Sequence, residues 1–239
     1  MWFLLLACQM FYYSDEDISE VQVTQVADSW NIGIQRSISS AVKILVTSEG
    51  RSVGHGSGNL FHYHNELFII TAAHVVDNDE MNYLVQESNG NVLSCKTIYR
   101  DIGNDIAIVK PYGKFTVAQA SPYYTSYQKD LTAKEMYYAG NPGDLEHVAL
   151  RGWVAESDHK TLVLQSFAWP GSSGSIVFDI AGRAIGVVSA IPIVHNFWEG
   201  GMIPLSQIVL VRRLEVLPRK TIREALKDEK RRTESRNAD

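Results

Sequence analysis

Ala168-Trp169-Pro170-Gly171-Ser172-Ser173-Gly174-Ser175 runs directly into Ile176-Val177-Phe178, a tight polar turn followed by an apolar strand. Two glycines bracket a pair of serines. A nucleophilic serine needs such surroundings. Its hydroxyl must stand on a turn where the backbone comes close to the substrate, which residues without a Cβ permit. The amides of that turn must converge where a carbonyl oxygen becomes an oxyanion. Gly-Ser turns are also common in ordinary loops, so the reading depends on what lies upstream.

A serine hydroxyl is activated by a base, and the base is oriented by an acid. His74 ends the buried-type run Phe68-Ile69-Ile70-Thr71-Ala72-Ala73, and Asp105 opens Ile106-Ala107-Ile108-Val109 after Gly103-Asn104. The order is His, Asp, Ser, with gaps of 31 and 68 residues. Taken singly, His74 reads better as a packing residue and Asp105 as a turn residue. Taken jointly they favour a triad: His74 accepts the proton of Ser173 and returns it to the leaving amine, and Asp105 holds the other ring nitrogen. An imidazole pKa of about 6.5 suits both proton transfers near neutral pH.

These three segments resemble those of trypsin-fold serine proteases. Further stretches narrow the resemblance to the HtrA (Deg) type: Gly56-Ser57-Gly58-Asn59-Leu60, Ala139-Gly140-Asn141-Pro142-Gly143 with Gly152-Trp153-Val154, Gly182 to Val188, and Gly201 to Ile208. It covers roughly residues 38–212. It implies an all-β fold of two six-stranded antiparallel barrels with the triad between them, and oxyanion donors at the amides of Gly171 and Ser173. It implies a substrate pocket walled by Phe167 and Ala168 and by Ser189, Ala190 and Ile191. None of these five is charged, which points to an apolar or small residue before the cut. Ser172 stands where zymogen-activated relatives carry an aspartate, so activation by an inserted N-terminus is not expected. Ser175 replaces a glycine of the family. The family implies peptide or protein substrates, no cofactor, no metal and, by analogy, a homotrimer. No PDZ-like stretch follows, although many HtrA proteins carry one.

The chain of 239 residues is long enough for one or two domains, and its net charge of −5 argues against a general nucleic-acid binder. The charge is uneven: residues 212–239 hold ten basic and six acidic side chains, a balance of +4, against −9 for the rest. Two cysteines, Cys8 and Cys95, are no disulfide framework, and Cys95 reads as a small packing residue. The domains expected are an apolar segment with a helix over 1–37, a protease domain over 38–212 and a charged tail over 213–239. In that tail Thr221 to about Arg232 reads as a solvated helix with few apolar positions, so that helical extensions flank the barrels at both ends. Met1 to Tyr13 is too short to span a bilayer and lacks the positive start of a signal peptide. Leu5-Leu6-Ala7-Cys8 loosely matches a lipoprotein box, which would acylate Cys8 and place the protein in a bacterial envelope. Ser14-Asp15-Glu16-Asp17 reads as a helix start.

From Ala41 onward short β-runs dominate, including hairpins across His64-Asn65 and Asn89-Gly90-Asn91. Such spacing implies a barrel or sandwich. Ser206 is expected to cap a helix from Gln207 to about Leu217. His55, His62 and His64 invite a metal reading, but no cysteine or acid at ligand spacing supports it. Two rivals stand beside a serine endopeptidase: a viral or phage processing protease of the same fold, and a pseudoprotease used as a binding module.

Overall fold

Fifteen strands form among the described residues of the computed structural model, which are residues 31–125, 128–196 and 201–236. The first six are β1 (Ala41–Ser48), β2 (Arg51–Tyr63), β3 (Glu66–Thr71), β4 (Asn82–Gln86), β5 (Val92–Asp101) and β6 (Ile106–Tyr112). They run antiparallel in the ring β1-β4-β5-β6-β3-β2, which closes because β1 also pairs with β2. The short β7 (Ser121–Pro122) lies parallel to β2. A second ring follows the order β10-β15-β12-β11-β8-β9. Its members are β8 (Glu135–Gly140), β9 (Val148–Ser157), β10 (Thr161–Gln165), β11 (Ile176–Asp179), β12 (Ala184–Ala190) and β15 (Ile208–Arg213). Between them β13 (Ile193–Asn196) and β14 (Gly201–Pro204) form a separate hairpin. The fold is thus the expected pair of six-stranded barrels.

Local chemistry explains the rings. The β2–β3 hairpin turns at His64, with φ +53°, and the β4–β5 hairpin at Gly90, with φ +83°. Phe68, Ile69 and Ile70 are wholly buried on β3, which lies between β2 and β6 in the first ring. Phe61 of β2 stacks on Phe68 and on Phe178 of β11, at centroid distances of 5.9 and 6.1 Å, so one aromatic cluster ties the two barrels together. Asn59, fully buried, does the same with hydrogen bonds. Its amide donates to Ser37 O and Ser40 Oγ, and its Oδ1 accepts from Ile176 N.

Three segments differ from expectation. The helix expected after Ser206 is instead β15: Ile208-Val209-Leu210-Val211 is a β-branched, alternating run, and the second ring needs its sixth strand. The expected charged helix is α2 (Arg219–Arg236), but it is not solvated: its Ile222, Leu226 and Glu229 are buried against the first barrel. Few apolar positions suffice because they recur at i, i+4 and are joined by a buried acid. Glu229 accepts from Lys96 Nζ and Tyr112 Oη, both at 2.6 Å. A helix α1 (Ile32–Ser40), not anticipated, is capped by Asn31. Gly33 lies against the Asp179 carbonyl there, where a Cβ would come within 2.1 Å. The expected apolar start, Cys8 and the Ser14 helix lie outside the described residues. No described helix is long and apolar enough to cross a membrane.

Candidate active site

The residues expected as base and acid come from the first barrel. β3 ends in a 3-10 turn, Ala73–Val76, whose buried Ala73, Val75 and Val76 leave His74 facing the cleft. Asp105 precedes β6 with φ +53°, a left-handed conformation that aspartate tolerates better than most residues. Its carboxylate receives His74 Nδ1 at 2.9 and 3.0 Å and the His74 main-chain N–H at 3.0 Å. The hydrogen bond donated to Asp105, with the charge of that aspartate and of Asp77, raises the His74 pKa above the ordinary 6.5 against a lowering by burial. Burial pushes the Asp105 pKa up, and the bonds from the His74 ring, the Ser189 hydroxyl and the His74 amide outweigh it, so the carboxyl lies below its usual range.

The serine expected as nucleophile comes from the second barrel. Ser173 lines one cavity with His74, while Ser172 and Ser175 are buried. Among the described residues no hydrogen bond yet joins the Ser173 hydroxyl to the His74 ring; such bonds are often long without substrate and tighten when it binds. Around Ser173 the peptides are fixed in alternation. The Pro170 carbonyl accepts from Gly143 N at 2.7 Å, and the Ser172 carbonyl from Ser175 N at 3.1 Å. Because trans peptides oppose C=O and N–H, the Gly171 and Ser173 amides point the other way, and neither has a described acceptor. The intervening Ser172 amide is instead tied to Trp169 O at 2.9 Å. Gly171 has φ +100° and Gly174 φ +93°, and a Cβ on them would come within 2.3 Å of Asn141 O and 2.0 Å of Ser57 O. Only glycine fits either place.

Ser57 is the residue the sequence reading passed over. It is fully buried inside Gly56-Ser57-Gly58. Its hydroxyl donates to Gly171 O at 2.7 Å and accepts from Asn141 N at 2.9 Å, and its amide donates to Ser173 O at 2.8 Å. One first-barrel serine therefore clamps both ends of the nucleophile turn. A polar residue between two glycines in an apolar strand was the available signal.

Of the five residues expected to wall a substrate pocket, Ala168, Ala190 and Ile191 line one cavity and Phe167 and Ser189 do not. A cavity of about 300 Å³ beside Ser173 is lined by Ala168, Trp169, Val188, Ala190, Ile191 and Pro204, with no ionisable side chain. Ser189 does not line it: side chains alternate along a strand, so Val188 and Ala190 face the cavity while the Ser189 hydroxyl donates to Asp105. Phe167 is also outside it, 41% exposed, with its carbonyl bonded to the Tyr138 hydroxyl. A larger cavity of about 520 Å³ lies along β9, β10 and β15 and holds neither His74, Asp105 nor Ser173.

The histidines of the metal reading are scattered. His55 Nε2 bonds Asn141 O at 3.0 Å beside Gly171, and His62 Nδ1 faces Ala120 O at 3.2 Å. Among the described residues no three His, Cys, Asp or Glu side chains gather as a metal site. Cys95 is half-buried, its thiol raised to about 12 by burial and donated to Tyr83 O, which suits packing rather than reactivity.

Two closed antiparallel rings with an acid–base pair on one and a serine turn on the other define the trypsin-like architecture. A family model described as a trypsin-like peptidase domain matches residues 56–187, and the chain belongs to that family. Among solved structures, a serine endoprotease from Yersinia pestis aligns at 18% identity with a TM-score of 0.65, covering 86% of this chain and 69% of that one. At that identity the likeness is one of fold. No curated protein matched the sequence.

Proposed function

We propose that the protein is a serine endopeptidase that hydrolyses peptide bonds through an acyl-enzyme. Ser173 attacks the carbonyl carbon as His74 takes its proton, the Gly171 and Ser173 amides receive the oxyanion, and His74-H⁺ protonates the departing amine. Water then repeats the sequence and frees the acid. Asp105 holds the tautomer with its proton on Nδ1. The observation that carries this reading is the pair of unoccupied amides, each fixed by its preceding carbonyl, beside a serine that shares a cavity with a carboxylate-bound histidine. The residue before the cut is apolar, since no ionisable side chain lines its cavity and Val188, Ala190, Ile191, Ile193 and Pro204 supply most of the wall.

A serine-directed peptidyl phosphonate tests it. Stoichiometric labelling is expected, abolished in Ser173→Ala and His74→Ala, with the melting temperature of Ser173→Ala unchanged. A silent binding module is the rival favoured by the missing His74–Ser173 hydrogen bond. Absence of labelling across pH 6–9 and with peptide substrate present would decide for that rival.

A further inference from the structure

The two halves of a bound peptide meet unlike walls. The acyl-side cavity has no ionisable group, whereas across Ser173 lies a second cavity of about 380 Å³. Val46, Met81 and Tyr83 give it apolar walls, His55 and Asp77 stand at its polar positions, and Gly171 and Ser173 close its inner end. A substrate whose carbonyl oxygen meets the Gly171 and Ser173 amides, and whose preceding side chain fills the apolar cavity, sends its leaving segment here.

Asp77 is the one formally charged side chain on this wall, and its carboxylate has no ion pair or hydrogen bond among the described residues. The nearby cation, Arg100, is committed elsewhere: it donates to the Asp77 main-chain carbonyl at 3.1 Å and to the Asp79 carboxylate at 2.7 Å. Lys43, on the side of His55, is bound to Glu146 at 2.7 Å. Tyr83 steadies the turn that carries Asp77, its hydroxyl donating to Asn78 O at 2.7 Å and accepting from Asn78 N at 3.0 Å. The Asp77 charge reaches the cavity. It adds to the Asp105 hydrogen bond in raising the His74 pKa and to burial in raising that of Tyr83. An apolar trough with one unpaired carboxylate at its rim fits a long cationic side chain, which lays its methylenes on hydrocarbon and keeps its charge at the water boundary.

We propose that the leaving-group side of the cleft selects lysine or arginine within the first two residues after the scissile bond, the stem lying on Val46, Met81 and Tyr83 and the cation meeting Asp77. This rests on the reading of Ser173 as nucleophile. Asp77 is a specificity residue that touches neither the serine nor the oxyanion donors.

The test uses internally quenched peptides sharing one acyl half, with Lys, Leu or Glu at each of the first two positions after the cut, on the full chain and on Asp77→Asn. At low ionic strength kcat/KM is expected to favour Lys over Leu about fivefold and over Glu roughly tenfold or more. Both ratios should fall to near one in Asp77→Asn and shrink in high salt. Phosphonate labelling, which involves no leaving peptide, should reach the same stoichiometry in the two proteins. Equal rates for the three peptides, or a Lys preference that survives in Asp77→Asn, overturn the proposal while labelling leaves the nucleophile standing. A wild-type chain that neither labels nor cleaves removes the nucleophile and this inference together.

Discussion

The two barrels divide the work unequally. The first holds the proposed acid–base pair on short, braced elements: His74 on a 3-10 turn, Asp105 at a strand mouth, each bonded to the other. The second holds the proposed nucleophile and oxyanion donors on a turn whose shape depends on positive φ at Gly171 and Gly174. The first is also cross-braced by buried charge. Glu87, 1% exposed, accepts from the main-chain N–H groups of Thr116, Val117 and Ala118 and from Asn91 Nδ2. Burial would raise its pKa; those bonds outweigh it and hold the carboxyl at about 2. The difference teaches that the acid–base half is built as rigid scaffold, while the nucleophile half borrows its rigidity across the interface from Ser57.

The largest expected effect breaks the second barrel's part outright. Ser173→Ala should lower kcat on the order of 10⁵- to 10⁶-fold, with His74→Ala similar and the double variant no worse, as steady-state cleavage of an apolar-residue peptide would reveal. Gly171→Ala should lower kcat about 10²- to 10³-fold by turning an oxyanion donor away; it should also cost about 1–3 kcal/mol of stability through backbone strain, read by denaturant unfolding. Ser57→Ala probes the borrowed rigidity: kcat should fall roughly tenfold or more with KM little moved, a split that simple destabilisation would not give.

The smaller effects belong to the first barrel. Glu87→Gln should destabilise by about 1–3 kcal/mol at neutral pH. Because the folded pKa is depressed, this stabilisation is complete above the unfolded value of 4.5 and is lost as pH falls through about 2. The variant's acid-unfolding profile should therefore be flatter, with kcat per folded molecule unchanged at pH 7. For His74 the sign is opposite. Its raised pKa contributes stability in full below 6.5 that disappears as pH climbs through the folded value. Since the neutral ring is the base, kcat/KM should rise through a midpoint above 6.5; a midpoint below 6.5 would contradict the His74–Asp105 coupling.

Much of this was legible because it is local. Turn glycines, apolar runs and the order of His74, Asp105 and Ser173 are chain-neighbour patterns, and they placed most strands within a residue or two. What was missed depends on partners far along the chain. β15 read as a helix because its pairing with β10 and β12 is invisible in sequence. The C-terminal helix read as solvated because the Lys96 and Tyr112 partners of Glu229 lie more than a hundred residues away. Ser189 was assigned to the pocket by family resemblance, whereas the facing direction that sends its hydroxyl to Asp105 is set by how its strand sits in the barrel.

The sequence alone determined which residue types could do the chemistry: an imidazole, a carboxylate and a serine held between glycines, since those needs are set by covalent structure and backbone sterics. The tertiary structure alone decided which side chains face one another. It gave Asp105 the Ser189 hydroxyl, gave Gly171 the Ser57 clamp, and left Asp77 unpaired in the cleft, because contact between distant segments follows from how two closed rings pack.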